Sequence, residues 1–127
     1  MSLKWKQTEP IYRQLADRLR ALVLRQAYAE GEALPSVRQL AAELRINPIT
    51  ISKALQILVD EGVIEKRRGL GMYVMPGASA DLLRAQRAEF VAHEWPRVLQ
   101  KIELLGLTLD ELPRDSSQAH SFLEEGV

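Results

Sequence analysis

A chain of 127 residues and 14.4 kDa, 46% hydrophobic and 27% charged, has the composition of one folded domain with a small appendage, not of a disordered or fibrous protein. It has no cysteine, which excludes disulfides, thiol nucleophiles and Cys-based zinc or iron–sulfur sites, and no apolar run near the roughly 20 residues that span a bilayer. The net charge of +0 conceals 12 basic and 8 acidic side chains in residues 1–77 (net +4) against 5 and 9 in residues 78–127 (net −4), the pattern of a basic half that meets a polyanion.

Along the chain, Thr8-Glu9-Pro10 predicts the start of a first helix, because proline is tolerated in a first turn and a carboxylate there complements the helix dipole. Ile11, Leu15, Leu19, Leu22 and Val23 carry a helical period to about Gln26, and Ala29–Ala33 reads as a loop. Ser36 with Gln39 forms a capping box for a second, short helix whose stripe is Val37, Leu40, Ala41 and Leu44. Asn47-Pro48 caps and opens a third, with Ile51, Leu55, Leu58 and Val59 buried and Gly62 ending it. Only Arg45 and Ile46 separate the second helix from that cap, so the two helices cross steeply, as in a helix-turn-helix.

The period then changes. Val63–Arg67 and Met72–Val74 flank the Gly69-Leu70-Gly71 turn as a β-hairpin, making a mainly α winged helix-turn-helix over residues 8–77. From Ser79 a helical tail over residues 78–127 follows, in which Ala88, Val91, Trp95, Val98, Ile102 and Leu105 mark a heptad seam suited to pairing two subunits. Pro96 predicts a kink or restart in it. Thr108–Glu111 forms another capping box, Pro113 cuts that helix short, and the last dozen residues read as weakly helical. The chain start lacks the apolar core of a signal peptide, so the expected location is the cytoplasm.

The residues suited to chemistry point to DNA. The N-terminal part of a recognition helix reaches base edges in the major groove, and here it presents Asn47, Ile49, Thr50, Ser52 and Lys53. Arg38 sits in the first turn of the second helix, where a cation opposes the dipole, so an anionic partner such as phosphate explains it better than a surface ion pair. Lys66, Arg67 and Arg68 followed by Gly69 place a charged tip at the backbone or minor groove, although such a run is commonly just a solvated turn. Gly69-x-Gly71 leads into a strand, not a helix, which excludes a nucleotide-binding loop. His93 and His120 lack ligand-spaced partners, and no Ser/His/Asp set or carboxylate pair supports catalysis, so neither metal, cofactor nor enzyme is expected.

Pro10-Ile11-Tyr12, Leu34–Arg38, Leu40-Ala41, Thr50, Ala54, Leu58, Glu61-Gly62 and Arg68–Gly71 ahead of Val74 closely resemble the DNA-binding domain of GntR-family bacterial transcription regulators. Asn47-Pro48 before Thr50, with a tail of only 50 residues, resembles the YtrA subfamily. The resemblance implies a homodimer that binds a palindromic operator and usually represses. By position it implies DNA contacts at Ser36, Arg38, Asn47, Thr50, Ser52, Lys53, Arg68 and Gly69; the dimer contacts are expected from the heptad seam, at Val91, Trp95, Val98, Ile102 and Leu105. Three departures from the family pattern stand out: Arg45 replaces a turn glycine, Pro48 stands where many relatives have a base-reading arginine, and Pro96 and Pro113 interrupt the tail. A small-molecule effector would have to bind between the tail and the winged domain or at the dimer interface. The competing reading is a winged helix that binds protein or structured RNA.

Overall fold

The computed structural model describes residues 5–115 and 117. The elements run α1 (Ile11–Leu24), α2 (Val37–Leu44), α3 (Pro48–Asp60), β1 (Ile64–Arg67), β2 (Gly71–Val74), α4 (Ala78–Glu89), a π-helical segment (Phe90–Glu94), α5 (Trp95–Leu104) and a 3₁₀ turn (Leu109–Glu111). The chain divides into two compact units, Met1–Ala85 and Gln86–Val127. The first extends past Gly77 because Ala78 and Leu82 of α4 are buried in its core. Among the described residues no helix is long and apolar enough to cross a membrane.

In this first unit the predicted apolar stripes meet. Leu15, Leu19 and Val23 of α1 pack with Leu40 of α2, with Ile51, Leu55 and Leu58 of α3, and with Ile64 and Val74 of the hairpin, all nearly inaccessible to solvent. The hairpin is antiparallel in the register Ile64↔Val74 and Arg67↔Gly71. The segment expected to be a plain loop lies along β2 as a short third edge. Gly31 N donates to Val74 O, Val74 N to Glu32 O and Leu34 N to Met72 O, each at 2.9 Å. These bonds satisfy amides and carbonyls that β2 would otherwise leave unpaired. At the N-terminus Gln14 acts as a clasp: its amide accepts from Lys6 N and donates to Lys6 O and Glu9 O.

The turn between α2 and α3 is tight because Arg45 adopts the left-handed conformation (φ 54°, ψ 46°), and Ile46 N closes it on Ala41 O. A side chain there crowds its own backbone, a penalty glycine avoids. Arg45→Gly is therefore expected to stabilise the protein by about 1 kcal/mol. The check is a higher urea midpoint at unchanged slope, and a lower midpoint would contradict the strain.

In the second unit the predicted restart at Pro96 takes a specific form. Trp95 N donates to Phe90 O, five residues back, and α-helical bonding resumes with proline in the first turn. The π-turn absorbs the residue whose missing N–H and bulky ring would break an unbroken α-helix. It also places the Phe90 and Trp95 rings 6.2 Å apart, so Phe90 joins the apolar seam. Gly106, left-handed, ends α5, and Thr108 N donates to Glu111 Oε1 at 2.6 Å in the predicted capping box. That box starts only a three-residue 3₁₀ turn. Apart from Ser117, the last dozen residues, His120 among them, fall outside the described residues.

Candidate nucleic-acid interface

Three elements of the first unit converge on one face. Ser36 caps α2 as predicted: its Oγ accepts from Gln39 N at 3.1 Å, while Gln39 Oε1 accepts from Ser36 N at 3.0 Å. The hydroxyl oxygen is thus fixed and its proton is left to donate outward. Asn47 Oδ1 accepts from Ile49 N at 2.9 Å, which holds the carboxamide at the mouth of α3 with both its N–H donors unspent among the described residues. Pro48 fills the first helical position, where its missing N–H costs nothing.

These caps set up a groove of about 460 Å³ between the start of α2, the middle of α3 and the hairpin tip. Ser36 and Gln39 line one side, Ser52 and Gln56 the α3 wall, and Lys66 and Leu70 the wing. Three predicted residues, Ser36, Ser52 and Lys66, therefore share one concavity. Gln56 is an addition that sequence reading missed, although it lies one helical turn beyond Ser52 and was accessible from that spacing. Ile49 stands out at the N-terminal end of α3 with 66% of its surface exposed, and Thr50 beside it is half-buried. Arg38 is exposed in the first turn of α2 and makes no ion pair among the described residues.

Two cations are placed by contacts that no motif announced. Lys53 Nζ lies 5.7 Å from the centre of the Tyr12 ring of α1, and Arg13 Cζ lies 5.9 Å from the same ring. The negative face of the ring attracts both cations, so Tyr12 steers Lys53 toward the α1 side of α3. Arg67 differs from the expected three-cation tip. Its Nε donates to Glu65 Oε1 at 2.9 Å and its guanidinium stacks 4.2 Å from the Tyr73 ring centre. Glu65 and Arg67 share one face of β1, and Glu65 is opposite Tyr73 in the register. Strand alternation sends Lys66 to the other face, into the groove. The exposed cations of the wing are thus Lys66 on the strand and Arg68 on the turn, where Gly69 has φ 77° and Leu70 N bonds Arg67 O.

Among the described residues no group of three or more His, Cys, Asp or Glu side chains could hold a metal ion. His93 Nδ1 lies 2.9 Å from Glu89 Oε2, one turn away on an exposed surface. What the face offers is hydroxyls, carboxamides, two helix N-termini and exposed cations. Those groups bind phosphate oxygens and base edges.

Comparison with known proteins agrees with this chemistry. The family model described as bacterial regulatory proteins, gntR family, matches residues 11–74. The HTH-type transcriptional repressor YtrA of Bacillus subtilis is 32% identical over 107 residues, covering 84% of this chain and 82% of that protein. A transcriptional regulator from Oenococcus oeni superposes with a TM-score of 0.70 at 25% identity, over 98% of this chain and 95% of that one. YtrA from Sulfolobus acidocaldarius, a GntR-family transcription factor, is 32% identical with a TM-score of 0.55, over 72% of this chain and 96% of that one.

Proposed function

The chain belongs to the gntR family of bacterial regulatory proteins and is a transcriptional regulator with a DNA-binding helix-turn-helix, and from that premise we propose that it acts as a homodimeric repressor on a palindromic operator. The observation that carries this reading is the shared groove. The α3 wall, the α2 cap and the wing tip present Ser52, Ser36 and Lys66 side by side, so a duplex seated on α3 meets all three. In this seating α3 enters the major groove, with Asn47, Thr50, Ser52 and Lys53 at base edges and nearby phosphates. Ile49 supplies an apolar contact for a thymine methyl. Ser36 and Arg38 grip the backbone, and Arg68-Gly69 of the wing follows it or enters the minor groove. Arg67 is held by Glu65 and Tyr73 and serves to stiffen the wing.

Dimerisation is supported by the apolar seam. Val91 and Leu105 are 63% and 60% exposed, Val98 is exposed beside them, and Trp95 and Ile102 are half-buried. A small unit cannot bury such a stripe on itself, and a second copy of the same stripe is the self-complementary solution of a twofold dimer. Two α3 helices then read half-sites one helical turn apart, which makes the operator an inverted repeat. Repression is the named role of the B. subtilis relative, and a dimer seated across a promoter acts by exclusion.

Arg38→Ala is expected to lower operator affinity about 10- to 100-fold, the value of a charge-assisted hydrogen bond. It should also flatten the dependence of log affinity on log salt by about one unit, because one phosphate contact is lost. Fluorescence anisotropy at several salt concentrations measures both. Unchanged affinity and slope would remove Arg38, and with it α2, from the interface.

A further inference from the structure

A second concavity lies apart from the DNA-facing groove, between α1 and α2. It has a volume of about 830 Å³ and is lined only by residues between Leu15 and Leu44. Leu15, Leu19 and Leu40 form its nearly inaccessible floor, and Leu22, Leu24 and Leu44 its half-buried walls. The polar groups that border it are Arg18, Arg25, Tyr28 and Glu43. An apolar recess of this size with a few polar groups at its margin is the usual form of a small-molecule site.

The margin specifies the ligand. Three of its four polar side chains can donate hydrogen bonds, whereas Glu43 can only accept. Burial, and then the charge of Glu43, pushes the Tyr28 phenol above its ordinary range, so it remains a protonated donor at neutral pH. The two guanidiniums outweigh the single carboxylate. Arg18 is also stacked on the Trp5 ring, 4.9 Å from its centre, which leaves Arg25, exposed and without an ion pair among the described residues, as the head-group partner.

We propose that the α1–α2 groove binds a small amphipathic carboxylic acid, its apolar body on the leucines and its carboxylate at Arg25 and Tyr28, and that occupancy releases DNA. The regulatory half rests on the DNA reading above. Helix α2 has only eight residues and is the wall common to both concavities: Leu40 and Leu44 line this one, while Ser36, Val37 and Gln39 line the other. A body that spreads α2 from α1 shifts the Ser36 cap and Arg38 away from the phosphates they hold. Linkage then requires operator binding to weaken the acid by the same factor.

The test uses the full chain, labelled with ¹⁵N and titrated with decanoate, with 1-decanol and decylamine as head-group controls. Decanoate is expected to shift amides of residues 15–28 and 40–44 and to bind more tightly than either control. Arg25→Gln should weaken decanoate about tenfold and leave decanol unchanged, and Leu44→Trp, which fills the groove, should abolish both. Shifts that are absent or spread over the chain, or an Arg25→Gln variant that binds decanoate as tightly as the parent, overturn the site. Saturating decanoate should also lower operator affinity at least fivefold, near the lower end of typical allosteric coupling. Unchanged operator affinity overturns the regulatory half alone. If the ligand-free protein selects no DNA, the DNA reading fails, and the amide shifts still decide whether the groove takes the acid.

Discussion

Val98→Asp or Ile102→Asp is expected to convert the protein to a monomer of 14.4 kDa and to weaken operator binding about 100- to 10,000-fold. Val98 is 41% exposed in the single chain, so a carboxylate there remains hydrated and the fold survives. Against the same stripe of a second chain it would be stripped of water, a loss that the apolar partners of the stripe cannot compensate. The large loss arises because two half-sites held by one rigid dimer bind almost as a single event, whereas monomers must bind each half-site separately. Light scattering reads the mass and anisotropy the affinity. A variant that keeps the parent's mass and affinity would place the subunit contact elsewhere.

Leu58→Ala is expected to cost about 2–5 kcal/mol, because Leu58 has no exposed surface and is enclosed by the core that joins α1, α3 and the hairpin. Typical domains have only about 5–15 kcal/mol of stability, so this variant should lose a large share of its resistance to urea and heat while its folded fraction still binds DNA. Ser52→Ala, on the exposed side of the same helix, should change stability by less than about 0.5 kcal/mol while lowering operator affinity. Urea unfolding followed by circular dichroism separates the two. A cost below about 1 kcal/mol for Leu58→Ala would mean that α3 is not anchored by this core.

Much of the architecture was legible because its signals are local. Ser36 with Gln39 and Asn47 with Pro48 fix two helix starts by bonds within three residues, and Gly62 and Gly69 mark turns that need positive φ. The restart at Pro96 followed from one missing N–H, but its form did not. Whether a chain bends, breaks or inserts a π-turn depends on which option keeps the flanking apolar faces usable, and here Phe90 comes to lie beside Trp95.

What escaped the sequence depends on partners distant along the chain. The 31–34 segment has no strand period, and only β2 makes it an edge. Lys53 and Tyr12 are 41 positions apart, and their contact exists because α3 packs on α1. Lys66-Arg67-Arg68 read as one basic tip because the alternation of the predicted strand Val63–Arg67 was not applied to its charged end. Strand alternation carried through Arg67 would have assigned Lys66 and Arg67 to opposite faces, with Glu65 and Tyr73 beside the arginine. The α1–α2 groove left no motif, since its leucines also satisfy the helical period of an ordinary core.

The central claim, that a dimer reads an inverted repeat through α3, is tested most directly by selecting purified protein on a random duplex DNA library at near-physiological salt, where sequence-independent binding is weakened. The expected result is enrichment of an inverted repeat whose half-site centres lie about 10–10.5 base pairs, or a multiple of that, apart. Enrichment of no sequence by protein shown to be folded and dimeric would contradict it.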